Sequence, residues 1–226
     1  MDKKTKAVEL LLGQRLLPLY YHESAEVSIE ILQALYDAGV RIAEYTNRGE
    51  AALYNFKNLR QAVDRKMPEL LLGIGTIKSK KQAKKYIEAG ADFIVCPSMN
   101  EEVGQVVEDA KLLWIPGCMT PTEIACAENA GAEIVKIFPG NILGPAYISS
   151  IKDLFPSLKF MPTGGVEAEE NNLREWFKAG VVAVGMGSKL ISKETIEQKD
   201  YESLKAAAVK ALQLVKEAGE YRKYKP

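Results

Sequence analysis

Four amphipathic stretches of this chain stop at the same two-residue step, and an apolar run follows each: Ala38-Gly39, Ala89-Gly90, Ala130-Gly131 and Ala179-Gly180. Glycine adopts the left-handed conformation without a Cβ penalty, so the step ends a helix and launches a strand. Eight strand-like runs occur, at 16–21, 41–46, 70–76, 93–97, 112–118, 134–138, 159–165 and 181–187. Helical periodicity fills the gaps, for example at 28–38, 50–66, 79–89 and 123–130, with apolar residues three and four apart and charge on the other face. Strands buried on both faces and joined by helical crossovers make a parallel sheet. Eight such units in succession predict an α/β fold closed into a (β/α)8 TIM barrel rather than an open sheet.

The length of 226 residues suits one such barrel, which usually takes about 200 to 250. No linker, low-complexity tract or charge block divides the chain, so residues 1–226 are expected to form a single domain. Its parts would be an N-terminal helix, a barrel proper at about 14–190, and a closing amphipathic helix at 199–218 with a frayed polar end. Thirty basic residues balance thirty acidic ones, which argues against a nucleic-acid or membrane-surface partner. Cys96, Cys118 and Cys126 follow no zinc spacing and read as free thiols. The start of the chain is too charged for a signal peptide, and no run is long enough to span a membrane. A cytoplasmic protein is the expectation. With His22 the single histidine, histidine-rich metal sites are excluded, and His22 itself is expected to be structural.

Barrels carry their chemistry at the C-terminal ends of the strands. In the second run, Arg41, Ala43 and Tyr45 share one face, and Ile42, Glu44 and Thr46 the other. If the latter face lines the interior, Glu44 is a buried carboxylate near the mouth, with Arg48 just beyond it. The alternative is a solvated glutamate or a structural Glu–Arg pair. Gly73-Ile74-Gly75-Thr76 ends the third run with small residues that admit a close approach, and with a hydroxyl. The seventh and eighth runs end in Thr163-Gly164-Gly165 and Gly185-Met186-Gly187-Ser188. Backbone N–H groups in such turns hold phosphate, although tight turns without a ligand look the same.

Lys136 is the lone charge in Ile134-Val135-Lys136-Ile137-Phe138-Pro139. A lysine there either lies on a sheet edge, snorkels to water, or sits dry. A dry lysine amine is the nucleophile of Schiff-base chemistry. The second and sixth strands face each other across the mouth of a closed barrel, so Lys136 and Glu44 would address one substrate.

In order and spacing, several segments together resemble the 2-keto-3-deoxy-6-phosphogluconate (KDPG) and 4-hydroxy-2-oxoglutarate (KHG) aldolase family. They are Ile42-Ala43-Glu44-Tyr45-Thr46-Asn47-Arg48, Gly73-Ile74-Gly75-Thr76, Ile115-Pro116-Gly117, Val135-Lys136-Ile137-Phe138-Pro139 and Pro162-Thr163-Gly164-Gly165. The resemblance implies a metal-independent class I aldolase in which Lys136 forms a covalent imine, with no other cofactor, and Glu44 transfers protons. It implies substrate contacts at Arg48, Thr76, Thr163 and Pro97, and a phosphate held by Gly164, Gly165, Gly187 and Ser188. Pyruvate and a phosphorylated keto-deoxy sugar acid would be the ligands, and a homotrimer the assembly. The chain departs from better-known members at Asn47 and Gly49 around the arginine, at Ser98 after Pro97, at Gly140-Asn141 after the lysine strand, and at Met186. These positions are expected to border the pocket and to bear on substrate preference, gluconate against galactonate included. Two other readings share the glycine-rich ends: a phosphate-binding epimerase or isomerase, and a non-catalytic sugar-phosphate binding protein. Neither needs an imine-forming lysine.

Overall fold

A computed structural model describes residues 2–221. The chain opens with α1 (Lys3–Gln14), β1 (Leu16–Tyr20), α2 (Ala25–Asp37), β2 (Ile42–Thr46), α3 (Ala52–Lys66), β3 (Leu71–Gly75) and α4 (Lys80–Glu88). It continues with β4 (Phe93–Val95), α5 (Glu101–Asp109), β5 (Leu113–Ile115), β6 (Gly117–Cys118) and α6 (Pro121–Asn129). The last third holds β7 (Ile134–Ile137), α7 (Gly140–Ile151), β8 (Lys159–Pro162), α8 (Glu170–Ala179), β9 (Val184–Met186), α9 (Lys193–Glu197) and α10 (Tyr201–Tyr221). All four Ala-Gly steps end helices with glycine at positive φ, as their sequence demands.

Every strand pairing is parallel. One sheet runs β5-β4-β3-β2-β1-β9 and a second β6-β7-β8. The fifth expected strand is cut in two at Pro116, which has no N–H to give to a ladder. Its carbonyl still accepts from the Lys136 N–H at 2.8 Å. The sheets also meet at a parallel bridge between Thr163 and Gly185, and the Val182 N–H donates to the Phe160 carbonyl at 3.0 Å.

The expected boundaries shift where caps decide them. Helix α2 begins at Ala25 because the Ser24 hydroxyl accepts the Val27 N–H. Helix α6 begins at Pro121 because Thr120 and Glu123 form a capping box. The closing helix, expected at 199–218, starts at Tyr201; the frayed end expected beyond it falls largely on residues 222–226, outside the described ones.

Alternation along the strands builds two cores. Leu17, Ile42, Leu71, Leu113, Ile134 and Met161 pack on one face with Ala7 and Leu11 of α1. We call this the inner face. Ala43, Tyr45, Leu72, Val135 and Met186 point the other way, into a larger core shared with the helices. Helix α1 covers the start of the strands: the Gln14 side-chain amide donates to the carbonyls of Leu16 and Ile42 and accepts the N–H of Arg41. Stepping two residues along each strand, away from α1, keeps the inner face and changes its chemistry. Ile42 gives way to Glu44, Ile134 to Lys136, Met161 to Thr163 and Ala183 to Gly185.

Candidate active site

Lys136 sits on β7 with β6 and β8 on its two sides, in register with Gly117 and Met161. It is 6% exposed, so it is neither an edge lysine nor a snorkelling one. Its ammonium lies 5.0 Å from the centroid of the Phe138 ring, a cation–π distance. Gly117 opposite it is obligatory, because a Cβ there would lie 2.5 Å from the Pro97 carbonyl oxygen.

Glu44 is 1% exposed on β2, between β1 and β3. Neither carboxylate oxygen has a hydrogen-bond partner among the described residues. Gly75 makes room for it, since a Cβ at that position would lie 1.6 Å from Oε1. Burial raises the carboxyl above its ordinary pKa, while the charges of Lys136 and Arg48 pull it back. Those two cations are the groups whose field Glu44 feels, so the structure brings the expected trio together. The alternation read from the sequence is what fixes it: Ala43 and Tyr45 lie in the outer core, Ile42 in the inner one.

A cavity of about 520 Å³ opens at this end of the strands, lined by Arg48, Phe138, Thr163, Gly164, Gly165, Gly187 and Ser188 among others. Lys136 and Glu44 do not line it; each is one inner-face step short of a residue at the strand end. Thr163 is 7% exposed, and its Oγ1, which has no partner, rests on Gly185, where a Cβ would approach to 2.3 Å. Gly164 and Gly165 have φ of 90° and 71°, so this turn needs glycine. Thr76 and Pro97 are not among the cavity-lining residues. Thr76, the residue after β3, has φ of 61°, an uncommon conformation for a β-branched residue.

The departures from the family pattern sort differently from the expectation. Gly140 and Asn141 pack on the Gly164–Gly165 turn: a Cβ on Gly140 would lie 2.5 Å from the Gly164 carbonyl oxygen, and Asn141 Cα abuts Gly165. Asn47 and Met186, expected to border the pocket, turn away from it. The Asn47 Oδ1 accepts from the Tyr86 hydroxyl at 2.8 Å, and Met186 is buried in the outer core. Odd and even positions at a strand end face opposite layers, and Gly185 and Gly187 take the inner ones. His22, expected to be structural, also lines the cavity; its carbonyl accepts from the Tyr45 hydroxyl at 2.8 Å and from Asn55 at 3.1 Å.

Two residues given no role by sequence reasoning belong to this site. Phe138 follows Lys136 by two positions, and Thr46 follows Glu44 by two, fully buried with an unpartnered hydroxyl. The period-two signal that placed Glu44 also places them. Among the described residues no group of three or more His, Cys, Asp or Glu is arranged to hold a metal ion. None of their helices is long and apolar enough to cross a membrane.

Comparison with known proteins agrees with this geometry. A family model described as KDPG and KHG aldolase matches residues 8–207. The 2-dehydro-3-deoxy-phosphogluconate aldolase of Treponema pallidum (strain Nichols) is 31% identical over 208 residues, 92% of this chain and 96% of that protein. The 2-dehydro-3-deoxy-6-phosphogalactonate aldolase of Escherichia coli (strain K12) is 36% identical over 129 residues, 57% of this chain and 62% of that protein. A solved 4-hydroxy-2-oxoglutarate/2-dehydro-3-deoxyphosphogluconate aldolase, from TTHB1, aligns with a TM-score of 0.79 at 32% identity, over 95% of this chain and 99% of that one. With the family model spanning most of its length, the chain belongs to the KDPG and KHG aldolase family.

Proposed function

We propose that the chain is a class I aldolase that cleaves 2-keto-3-deoxy-6-phosphogluconate to pyruvate and glyceraldehyde 3-phosphate. 4-Hydroxy-2-oxoglutarate, giving pyruvate and glyoxylate, is its second substrate. The observation that carries this reading is the pairing of a buried lysine with a buried, unpartnered glutamate on the inner face below the cavity. The neutral Lys136 amine attacks the C2 ketone, and loss of water from the carbinolamine leaves a protonated imine. Glu44 takes the C4 hydroxyl proton, directly or through a water, as the C3–C4 bond breaks and its electrons pass into the enamine. Glyceraldehyde 3-phosphate leaves. Glu44 returns the proton to C3, and hydrolysis of the imine frees pyruvate and regenerates the lysine. A carboxyl raised by burial is matched to this task, because proton transfer is most efficient when donor and acceptor lie near the working pH. The imine is the electron sink, so these steps use no metal or separate cofactor.

In this reading Arg48 clamps the substrate carboxylate with its planar fork. Thr76, Pro97 and Thr163 flank the pyruvate half and the neighbouring hydroxyl, and Gly164, Gly165, Gly187 and Ser188 hold the phosphate. Likeness to the phosphogalactonate aldolase favours a second reading in which the galactonate epimer at C4 is the preferred substrate. We further infer that the two sheets form one closed eight-stranded barrel in a single domain. The carbonyl of Pro116 and the Thr163–Gly185 bridge support this, as links at the two junctions. Cytoplasmic residence follows from the substrate, since a phosphorylated sugar acid does not cross a bilayer unaided, and a homotrimer is proposed from the family.

Trapping tests the reading. Incubation with pyruvate and borohydride, followed by peptide mapping, is expected to give a stable adduct on Lys136. Lys136→Ala should lose both adduct and turnover. An adduct on another lysine, or turnover without any adduct, would overturn the assignment.

A further inference from the structure

Tyr21 lines the cavity and has been given no task. It lies just past the end of β1, the strand between β2, which leads to Glu44 and Arg48, and β9, which leads to Gly187 and Ser188. On the β9 side, Gly187 approaches the carbonyl of Leu19, two residues before Tyr21, where a Cβ would lie at 3.4 Å. On the β2 side, the Tyr21 hydroxyl occupies the space a side chain would take at position 49: a Cβ on Gly49 would lie 2.0 Å from it. Gly49 is the residue after Arg48, so the glycine beside the arginine is what admits this phenol. The ring packs on Tyr45 at 5.7 Å between centroids, and Tyr45 is itself tied to His22 and Asn55. Among the described residues the Tyr21 hydroxyl has no hydrogen-bond partner.

A held ring with a free hydroxyl on a cavity wall is a preorganised hydrogen-bonding group. We propose that Tyr21 is a specificity-determining residue that binds the C5 hydroxyl of a phosphorylated keto-deoxy sugar acid. The proposal rests on the aldolase reading above. A substrate joined at C2 to Lys136 and held by its C6 phosphate at the glycine turns places its aldehyde-derived half in the cavity that Tyr21 lines together with Gly164, Gly165, Gly187 and Ser188. In that half, C5 lies between the bond that breaks and the phosphate. A wall built to hydrogen-bond a substrate hydroxyl discriminates against the analogue lacking it, because its own polar group is then left unpaired.

The condensation direction isolates this contact. Pyruvate is offered with glyceraldehyde 3-phosphate or with 3-oxopropyl phosphate, the same acceptor without its 2-hydroxyl, which becomes C5 of the product. Tyr21→Phe is expected to reduce the preference in kcat/KM for the hydroxylated acceptor roughly 3- to 10-fold, the loss of one neutral hydrogen bond. Gly49→Ala, which drives the ring off its site, should reduce the same preference without altering the KM for pyruvate. The double variant should lose no more than the worse single one, since both remove one contact. Equal losses on both acceptors, no loss on either, or a raised KM for pyruvate in Tyr21→Phe would overturn the assignment and leave the aldolase reading in place. No condensation by the unaltered protein would overturn both.

Discussion

At the scale of a single residue, Glu44 carries the feature on which the proposed turnover rests. A buried carboxylate without hydrogen bonds is unfavourable, and the nearby cations offset only part of that cost. The folded-state pKa lies above that of the unfolded chain, so between the two values the folded protein binds the extra proton. Stability therefore falls as pH rises through that window, and near neutral pH the ionised group is a net burden. Glu44→Gln keeps the shape and removes the charge. We expect it to raise the Tm at neutral pH by roughly 2–4 °C for each kcal/mol relieved. The gain should vanish below about pH 4, where glutamate is protonated anyway. Turnover of the variant should drop sharply while the pyruvate adduct still forms on Lys136. Thermal scans at both pH values beside a pyruvate-release assay check this, and a loss of stability at neutral pH would contradict it. The residue was legible because alternation separates Ala43 and Tyr45 from Ile42 and Glu44. Tyr21 was not, because nothing in its local pattern shows that its hydroxyl reaches across β1 and β2 to Gly49.

At the scale of the element, the division of labour runs along each strand from α1 to the cavity. The eight expected strand runs all appear, because apolar β-branched content and glycine stops are local signals. The break at Pro116 was harder to foresee, since a proline inside a short run can end a strand or merely interrupt its ladder. Helix α1 could be expected as a helix, but not its docking: only the fold shows Ala7 and Leu11 filling the inner core. Leu11 is fully buried, so Leu11→Ala should cost about 2–5 kcal/mol, combining lost transfer energy with a cavity. A fall in Tm of roughly 4–20 °C follows for a chain of this size. Because α1 packs at the strand starts and the cavity opens at the strand ends, kcat at 25 °C should stay within about twofold of the unaltered protein. Denaturation curves and steady-state rates on the same preparation check both parts. A variant with normal stability would mean that α1 does not plug the inner core.

For the whole molecule, the question is whether the six-stranded and three-stranded sheets act as one body. Both cores say that they do. The inner core joins Leu17, Ile42 and Leu113 of the first sheet to Ile134 and Met161 of the second, and the outer core draws on both sheets and their helices. Removing the smaller sheet would take Ile134 and Met161 from the inner core and Val135, Ile137 and Phe160 from the outer one, leaving both incomplete. The proposed chemistry would depend on the same unity, because Glu44 belongs to one sheet and Lys136 to the other. The sequence could place these residues on strands two and six, but only the packing between sheets brings their charges within reach of each other. Thermal unfolding should therefore be a single transition with matching calorimetric and van't Hoff enthalpies per cooperative unit. Loss of pyruvate release should track that transition rather than precede it. A separate early transition that abolishes activity while β1 to β5 keep their hydrogen-exchange protection would show instead that β6, β7 and β8 form an independent unit. The closed-barrel reading would then fail, even with the chemistry at Lys136 intact.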